Sequence, residues 1–221
     1  MLKKMKISPE GLLEKFLPKI PDFRLLKADL TTPNISDALK HVTGEVGVMS
    51  GIKPITDAKT IGRAVTVKTA ADDWGTSVMA IDIASRGDVL VICSKGDNKA
   101  LWGELTSKTA NEKGIAGTII DGAVRDVAGI KKLGYPVFSK SVVPNAGDPK
   151  AEGKINVPID CGGVAVNPQD VIVADDCGVV VIPREHFREV IKTAFKIKSM
   201  ENGIIRKIED GLPLSEILDI K

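Results

Sequence analysis

A polar segment near the middle of the chain contains the residue types that metal binding and anion binding require. Asp121, Arg125 and Asp126 fall within segment 121–126, which directly follows an apolar stretch at 118–120. If that stretch is a strand of a parallel sheet, its carboxyl end is a favoured place for a ligand. Two carboxylates beside a guanidinium would supply a cation ligand next to an anion receptor. The same residues also fit a helix N-terminus capped by Asp121, with Arg125–Asp126 as an exposed ion pair.

A second acid, Glu104, lies 22 residues before Asp126. This spacing corresponds to one helix plus one strand, so both carboxylates could approach one crevice at neighbouring strand ends. On the alternative interpretation, Glu104 is an exposed acid on a helix and Trp102 is a core or lid aromatic.

The histidines and cysteines limit the chemistry further. His41 and His186 are the two histidines of the chain, and neither lies near another histidine or a cysteine pair in the sequence. A histidine-rich metal centre is therefore excluded, and oxygen ligands would favour Mg²⁺ or Mn²⁺ over zinc. Cys93, Cys161 and Cys177 are widely spaced and flanked by apolar residues. We expect reduced thiols rather than a disulfide framework.

The composition is that of a folded domain. The 221 residues are 43% hydrophobic and 27% charged, and 31 basic against 29 acidic residues give a net charge of +2. This balance gives no support for direct nucleic-acid binding through a basic surface. No apolar run reaches the roughly 18 residues of a membrane span, and the N-terminus lacks a signal-peptide pattern. We therefore expect a soluble, cytoplasmic protein.

The periodicity of apolar residues predicts an α/β fold. We expect a helical arm over 1–30, with a helix at 10–16, and a single domain over 31–221 that begins with a helix at 32–39. Period-two alternation at 61–70 indicates a strand. Three helix–strand units follow, with helices at 77–84, 99–113 and 127–133 and strands at 89–93, 117–121 and 137–139. Such repeats predict a mainly parallel layer covered by helices.

The last third changes to short strands and then to helix. Prolines and glycines separate candidate strands at 155–159, 163–166, 170–174 and 179–182. A long helical pattern over 184–210, interrupted near 202–203, leads to a short helix at 214–218. We assign these C-terminal helices to the same domain.

Taken together, the motifs resemble a known family. The match covers approximately residues 31–218 and rests on Trp102-Gly103-Glu104-Leu105, Ala110, Gly114, Gly117, segment 121–126, Cys161-Gly162-Gly163-Val164 and segment 178–183. The chain resembles the RraA-like family, which includes class II 4-hydroxy-4-methyl-2-oxoglutarate aldolases and regulators of ribonuclease E activity. The resemblance implies a three-layer β/β/α fold like that of phosphohistidine-swivelling domains. It also implies a homotrimer, or a dimer of trimers, with active sites between subunits.

For the aldolase branch, the resemblance implies roles for individual residues. Asp126 would bind the metal and Arg125 would bind the substrate. Glu104 would not bind the metal directly but would act on the groups that contact it. The backbone amides of Gly103, Glu104 and Leu105 would hold the carboxylate of pyruvate. Glu104 stands where aldolase members often have aspartate, which is one methylene shorter.

The family also places a carboxylate from the C-terminal helix of a neighbouring subunit in the site. Glu201 is the candidate for that carboxylate, and Glu209 on the same helical stretch is the alternative.

Three functions follow from this resemblance. The first is a Mg²⁺- or Mn²⁺-dependent lyase for pyruvate-containing 2-oxo acids, acting by retro-aldol cleavage, oxaloacetate decarboxylation or both. The second is a non-catalytic regulator that binds and inhibits a ribonuclease. The third, a quinone-precursor methyltransferase, is rejected because no glycine-rich nucleotide loop follows a strand.

Overall fold

The structure is a computed structural model that describes Phe23, residues 30–94 and residues 96–220. The helix expected at 10–16 lies outside the described residues, as does almost all of the 1–30 arm. The helices are α1 (Thr32–Thr43), α2 (Gly75–Ile83), α3 (Glu104–Lys113), α4 (Val127–Leu133), α5 (Phe187–Glu209) and α6 (Leu214–Ile217). The strands are β1 (Lys53–Pro54), β2 (Thr60–Thr69), β3 (Val89–Ser94), β4 (Ala100–Trp102), β5 (Gly117–Val124), β6 (Val137–Val142), β7 (Lys154–Ile155), β8 (Ile159–Cys161), β9 (Val164–Val166), β10 (Val171–Asp175) and β11 (Gly178–Ile182).

Nine strands form one mixed sheet in the order β1-β6-β5-β3-β2-β10-β11, with β4 on β5 and β7 on β2. The pairs β2–β3, β3–β5, β4–β5 and β5–β6 are parallel, which confirms the expected parallel layer. The pairs β2–β10 and β10–β11 are antiparallel, and β8–β9 is a separate hairpin. The α/β class is confirmed.

The core lies on both faces of the parallel layer. Leu90 and Ile92 of β3 pack under α2, α3 and α4, whereas Val89 and Val91 pack under the β8–β9 and β10–β11 hairpins. All four side chains are fully buried. Burial of each contributes about 1.5–3 kcal/mol, which is why an uninterrupted apolar run forms a central strand. The result is the predicted β/β/α arrangement of three layers.

Four elements differ from the sequence-based expectation. The strand expected at 155–159 is divided into β7 and β8, because residues 156–158 are not in a strand. The segment before α3 is not helical, because residues 100–102 form β4 and pair with β5. Strand β5 continues through Asp121 to Val124, so Asp121 is not a strand-end helix cap. Helix α5 runs through Gly203 without a break. None of the helices in the described part of the chain has both the length and the apolar composition of a membrane span.

Candidate active site

Two strand-to-helix junctions meet at the edge of the parallel layer. Strands β4 and β5 are parallel neighbours, with Trp102 opposite Val124, and each is followed by a helix. The amide of Arg125 donates to the carbonyl oxygen of Trp102 at 3.0 Å, which brings the two junctions together. An open pocket of about 140 Å³ lies between them. Its lining is Trp74, Ala100, Leu101, Trp102, Gly103, Leu105, Thr106, Arg125, Asp126 and Ala146.

Asp126 holds an unusual backbone conformation at the start of α4. Its φ of 58° and ψ of 36° are left-handed, a conformation that costs energy for a non-glycine residue. Its side chain makes no capping bond to α4. Instead Oδ2 lies 3.5 Å from Nε of Arg125 and 3.4 Å from the amide nitrogen of Glu104. Both side chains of the Arg125–Asp126 pair are 43% exposed, so a ligand can reach them.

Gly103 allows this close approach between the junctions. A Cβ at position 103 would lie 2.6 Å from Oδ2 of Asp126 and 3.3 Å from Cγ of Arg125. Any side chain at position 103 would displace the side chain of Asp126 or that of Arg125. The requirement for glycine is therefore one of space.

The amides at the start of α3 are not equivalent. The Gly103 N–H donates to Oγ1 of Thr106 at 2.9 Å, and that hydroxyl donates back to the Gly103 carbonyl oxygen at 3.0 Å. The Glu104 N–H donates to Oδ2 of Asp126 in a long bond of 3.4 Å, whereas the Leu105 N–H has no acceptor among the described residues. Leu105 and Glu104 are thus better placed than Gly103 to bind a carboxylate. Thr106 was missed from the sequence, because a capping box is signalled by serine or threonine at the N-cap and glutamate or glutamine three residues later, and this helix has Gly103 and Thr106 there.

The carboxylate of Glu104 lies outside the pocket lining, which includes Gly103 and Leu105 on either side of it. It covers Gly129 of α4, where an added Cβ would overlap its oxygen. The side chain of Glu104 therefore packs on the first turn of α4 and not in the pocket.

Glu201 lies on α5 and, within this chain, contacts α1. Its Oε2 accepts a hydrogen bond from Nδ2 of Asn34 at 2.7 Å. The sequence assigned it to the site of a neighbouring subunit, and that assignment stays a prediction. Glu209 is exposed at the end of the same helix.

Asp121 belongs to a different face of the sheet. Its Oδ2 accepts the Gly162 N–H at 2.9 Å, and Oδ1 lies 3.5 Å from Nζ of Lys140. It therefore helps to hold the β8–β9 hairpin and does not line the pocket. Asp121 is therefore separated from the Arg125–Asp126 pair with which the sequence grouped it, because Asp121 lies within β5 and the pair follows the end of that strand.

The far wall of the pocket comes from residues that the sequence analysis did not single out. Ala146 lies between β6 and β7, and Trp74 precedes α2. The indole N–H of Trp74 donates to the Gly147 carbonyl oxygen at 3.0 Å, which fixes the segment against the helix.

Asp73 anchors this wall. Its carboxylate accepts six hydrogen bonds from Thr69, Gly75, Thr76, Ala151 and Glu152. Burial of Asp73 opposes ionisation, but the hydrogen bonds from Thr76, Ala151, Thr69 and Glu152 outweigh it and hold the pKa of the carboxyl well below its ordinary value. Asp73 is therefore a structural anion that ties α2 to residues 151–152.

A second acidic group occurs in the turn between β10 and β11. Asp175, Asp176 and Cys177 place one ligand atom each within 4.8 Å of one another. The Asp175 carboxylate already accepts bonds from the Thr32 N–H, the Thr32 hydroxyl and the Cys177 N–H. Asp175 of β10 thus caps the N-terminus of α1, and this accounts for its carboxylate without a metal ion.

Comparison with known proteins decides the family. The family described as "RraA-like: Aldolase/RraA" matches residues 32–181. The chain belongs to the RraA-like family. An uncharacterised protein of Methanocaldococcus jannaschii is 41% identical over 87% of this chain and 92% of its own length. A protein of Halalkalibacterium halodurans with the provisional name 4-hydroxy-4-methyl-2-oxoglutarate aldolase is 38% identical over 86% and 90%.

A solved structure also points to the second branch of the RraA-like family. Streptomyces coelicolor RraAS2, described as an unusual member of the RNase ES inhibitor RraA family, superimposes with a TM-score of 0.69 at 26% identity. The match covers 81% of this chain and 92% of RraAS2. Family membership is therefore compatible with both an aldolase and a regulator, and the site has to distinguish them.

Proposed function

We propose that this RraA-like chain is a divalent-metal-dependent carbon–carbon lyase that releases pyruvate from 2-oxo acids. The observation that supports this most directly is the convergence of Asp126, Arg125 and the N-terminus of α3 on one pocket. An inhibitor that acts through its outer surface has no physical need for this arrangement.

The residues present fit a hard divalent cation. Asp126 offers an accessible carboxylate that makes no capping bond to its own helix α4, and Mg²⁺ commonly binds through one or two carboxylates plus water and substrate oxygens. Asp126 would hold the ion, which when bound supplies a Lewis acid for the 2-oxo group. Mn²⁺ has the same preference for oxygen ligands.

Each of the protein groups around Asp126 would have a separate role in binding and catalysis. The start of α3, a 10-residue helix, would bind the pyruvate carboxylate through the Glu104 and Leu105 amides. The guanidinium of Arg125 would neutralise the negative charge that develops on the oxygen at C2 as the C3–C4 bond breaks. Glu104, together with Glu201 of a neighbouring copy, would orient the water that exchanges the proton.

Retro-aldol cleavage and oxaloacetate decarboxylation share this enolate chemistry. In both reactions the electron pair of the broken bond moves into the pyruvate fragment. The substrate therefore has to present its pyruvate end to Arg125 and Asp126, and the rest of it faces the far wall.

The exchange of the pyruvate methyl protons for deuterium tests this proposal, because it needs the enolate but no second fragment. We expect Mg²⁺-dependent exchange by NMR that chelation abolishes. Asp126→Asn keeps the size and tolerates left-handed backbone, and we expect it to lower exchange at least about 100-fold. Asp37→Asn, on the exposed face of α1, is the matched control and should retain exchange.

No exchange in the parent protein, and no pyruvate from oxaloacetate or 4-hydroxy-4-methyl-2-oxoglutarate, would favour the alternative function. In that case the chain would be a non-catalytic regulator that binds a ribonuclease.

We also propose that the chain forms a trimer, or a dimer of trimers, with sites between subunits. The last part of the described chain, residues 199–220, is almost entirely exposed and includes Met200, Ile205, Ile208 and Leu212. Apolar side chains on a projecting helix need a partner surface. A neighbouring subunit would cover them and receive Glu201.

A further inference from the structure

Helix α5 has a buried first half and an exposed second half. The first half packs on α1 through buried apolar side chains of both helices, among them Ile35, Leu39, Phe187, Val190 and Ile191. Residues 199–220 are almost entirely exposed, and Glu201 lies near the start of this part. A long acidic side chain in such a place is not held by burial. Its direction therefore depends on a specific polar contact.

Asn34 of α1 supplies that contact. Its Nδ2 donates to Oε2 of Glu201 at 2.7 Å, where the first turn of α1 meets α5. Asn34 is 4% exposed, whereas Glu201 is exposed. The packing of α1 fixes the amide of Asn34, and the amide in turn holds one oxygen of an exposed carboxylate.

A second hydrogen bond fixes the orientation of the amide itself. Oγ1 of Thr31 donates to Oδ1 of Asn34 at 3.0 Å. An ionised carboxylate can only accept hydrogen bonds, so the group of Asn34 that faces Glu201 has to be its NH2 group. The carbonyl oxygen of the amide is then left for the hydroxyl of Thr31. The three side chains form a connected series of hydrogen bonds that ends on the acid.

This series leaves one oxygen of Glu201 for chemistry. Oε2 is bound to an amide, which neither takes up nor releases a proton at neutral pH. Any exchange of a proton or binding of a water by Glu201 therefore falls to Oε1. Thr31, Asn34 and Glu201 all belong to one chain, so the arrangement moves with α5 into an interface where this helix packs.

We propose that Asn34 is a positioning residue for the lyase reaction, because it holds Glu201 with Oε1 directed at the water that exchanges the proton. This inference rests on the proposed function, in which Glu201 of one copy enters the site of the next. Asn34 acts through Glu201 and contacts no substrate atom. A carboxylate that is already oriented has less freedom to lose when it acts as an acid or base.

Asn34→Asp tests this role, because it separates the bond to Glu201 from the stability of α1. Aspartate has the size of asparagine, can still accept from Thr31, and is favourable in the first turn of a helix. It cannot donate to Glu201, however, and its charge repels that carboxylate. With Mg²⁺ and saturating pyruvate, we expect the rate of methyl proton exchange to fall at least roughly tenfold.

The binding of pyruvate should be almost unaffected by Asn34→Asp. In the proposed site the α3 amides and Arg125 of the other copy bind pyruvate, and they do not contact Asn34. We expect the pyruvate concentration for half-maximal exchange to change less than about twofold. A general disturbance of the site would change this concentration together with the rate.

Two further variants show whether Asn34 acts through Glu201. Glu201→Gln removes the charge of the acid, and we expect exchange to fall at least about 100-fold. Asn34→Asp added to Glu201→Gln should cause no further loss, because the carboxylate that Asn34 positions is already gone. Asn202→Asp makes the same substitution at the next residue of α5 and should keep the parent rate.

The outcomes separate this inference from the lyase proposal. If the parent protein exchanges the methyl protons and either Asn34→Asp or Glu201→Gln does so at the parent rate, the inference is overturned and the lyase proposal stands. An equal loss from Asn34→Asp with and without Glu201→Gln would show a structural role and would also overturn it. The same holds if Asn34→Asp dissociates the assembly in size-exclusion chromatography with light scattering.

A parent protein without exchange would lose both proposals. If Asn34→Asp does not fold, Asn34→Ala takes its place in both backgrounds, because it removes the donor without adding a charge.

Discussion

At the scale of single residues, the site depends on Gly103 because this residue has no side chain. Gly103 lies where any Cβ would approach Oδ2 of Asp126 to 2.6 Å. We expect Gly103→Ala to lower the rate of pyruvate methyl exchange by about 100-fold, because displacement of a ligand by an ångström disrupts a preorganised site. Thermal unfolding should change little, since the φ of −161° is open to alanine.

The matched control for this change is Gly203→Ala. Gly203 lies inside α5 with open space around its missing Cβ. Alanine there should leave exchange intact and stabilise the helix by roughly 0.5–1 kcal/mol. Equal loss of exchange in both variants would show that Gly103 has no special role.

At the scale of elements, Asp73 joins the start of α2 to the segment that forms the far wall. Its pKa is lowered in the folded state, so its ionised form stabilises the fold above the unfolded pKa of about 3.9, and this stabilisation is lost as the pH falls further towards the folded value. Asp73→Asn keeps the shape but loses the charge and two acceptor sites. We expect it to lower the free energy of unfolding at pH 7 by about 2 kcal/mol or more.

Urea denaturation at several pH values measures this effect. The difference between the parent protein and Asp73→Asn should be largest at neutral pH and shrink between about pH 5 and pH 2. Asp82→Asn on the exposed side of α2 provides the control and should show a small difference at pH 7. A difference for Asp73→Asn that does not depend on pH would rule out the ionised carboxylate as its cause.

The length and pairing of each element explain which parts of the fold could be predicted from the sequence. Strand β3 is an uninterrupted apolar run, and its type follows from composition alone. Strand β4 has three residues and is stabilised by pairing with β5, so no local pattern distinguishes it from the helix that follows. Asp73 and Trp74 were missed for a related reason, because their contacts with the far wall, at Ala151, Glu152 and Gly147, join residues more than 70 positions apart in the sequence.

Some features of the site could likewise be predicted from the sequence, and others could not. The Arg125–Asp126 pair could be identified from its motif and the family resemblance, and the structure places it beside Gly103 and Leu105. The side-chain direction of Asp121 could not, since it depends on β5 continuing past the expected strand end. The left-handed conformation of Asp126 likewise depends on the junction with β4, which is a tertiary contact.

At the scale of the whole molecule, the C-terminal helix has an apolar stripe that the described residues leave largely exposed. Met200, Ile204 and Ile208 follow one another at intervals of four and lie on one side of α5. Met200 is 63% exposed and Ile208 is 45% exposed. In the proposed trimer, this stripe packs on the next subunit and carries Glu201 to its site.

Charges on this stripe should therefore break the assembly and the activity together. We expect the double variant Met200→Glu/Ile208→Glu to elute as a monomer in size-exclusion chromatography with light scattering, because two buried, unpaired carboxylates are costly at an interface. Pyruvate methyl exchange should fall with it, since each site would lose the neighbour's helix. Asn202→Glu, nearly opposite on α5 at 100° per residue, should change neither property. A parent protein that is already monomeric and active would contradict the shared site, because its pocket would then be complete within one chain.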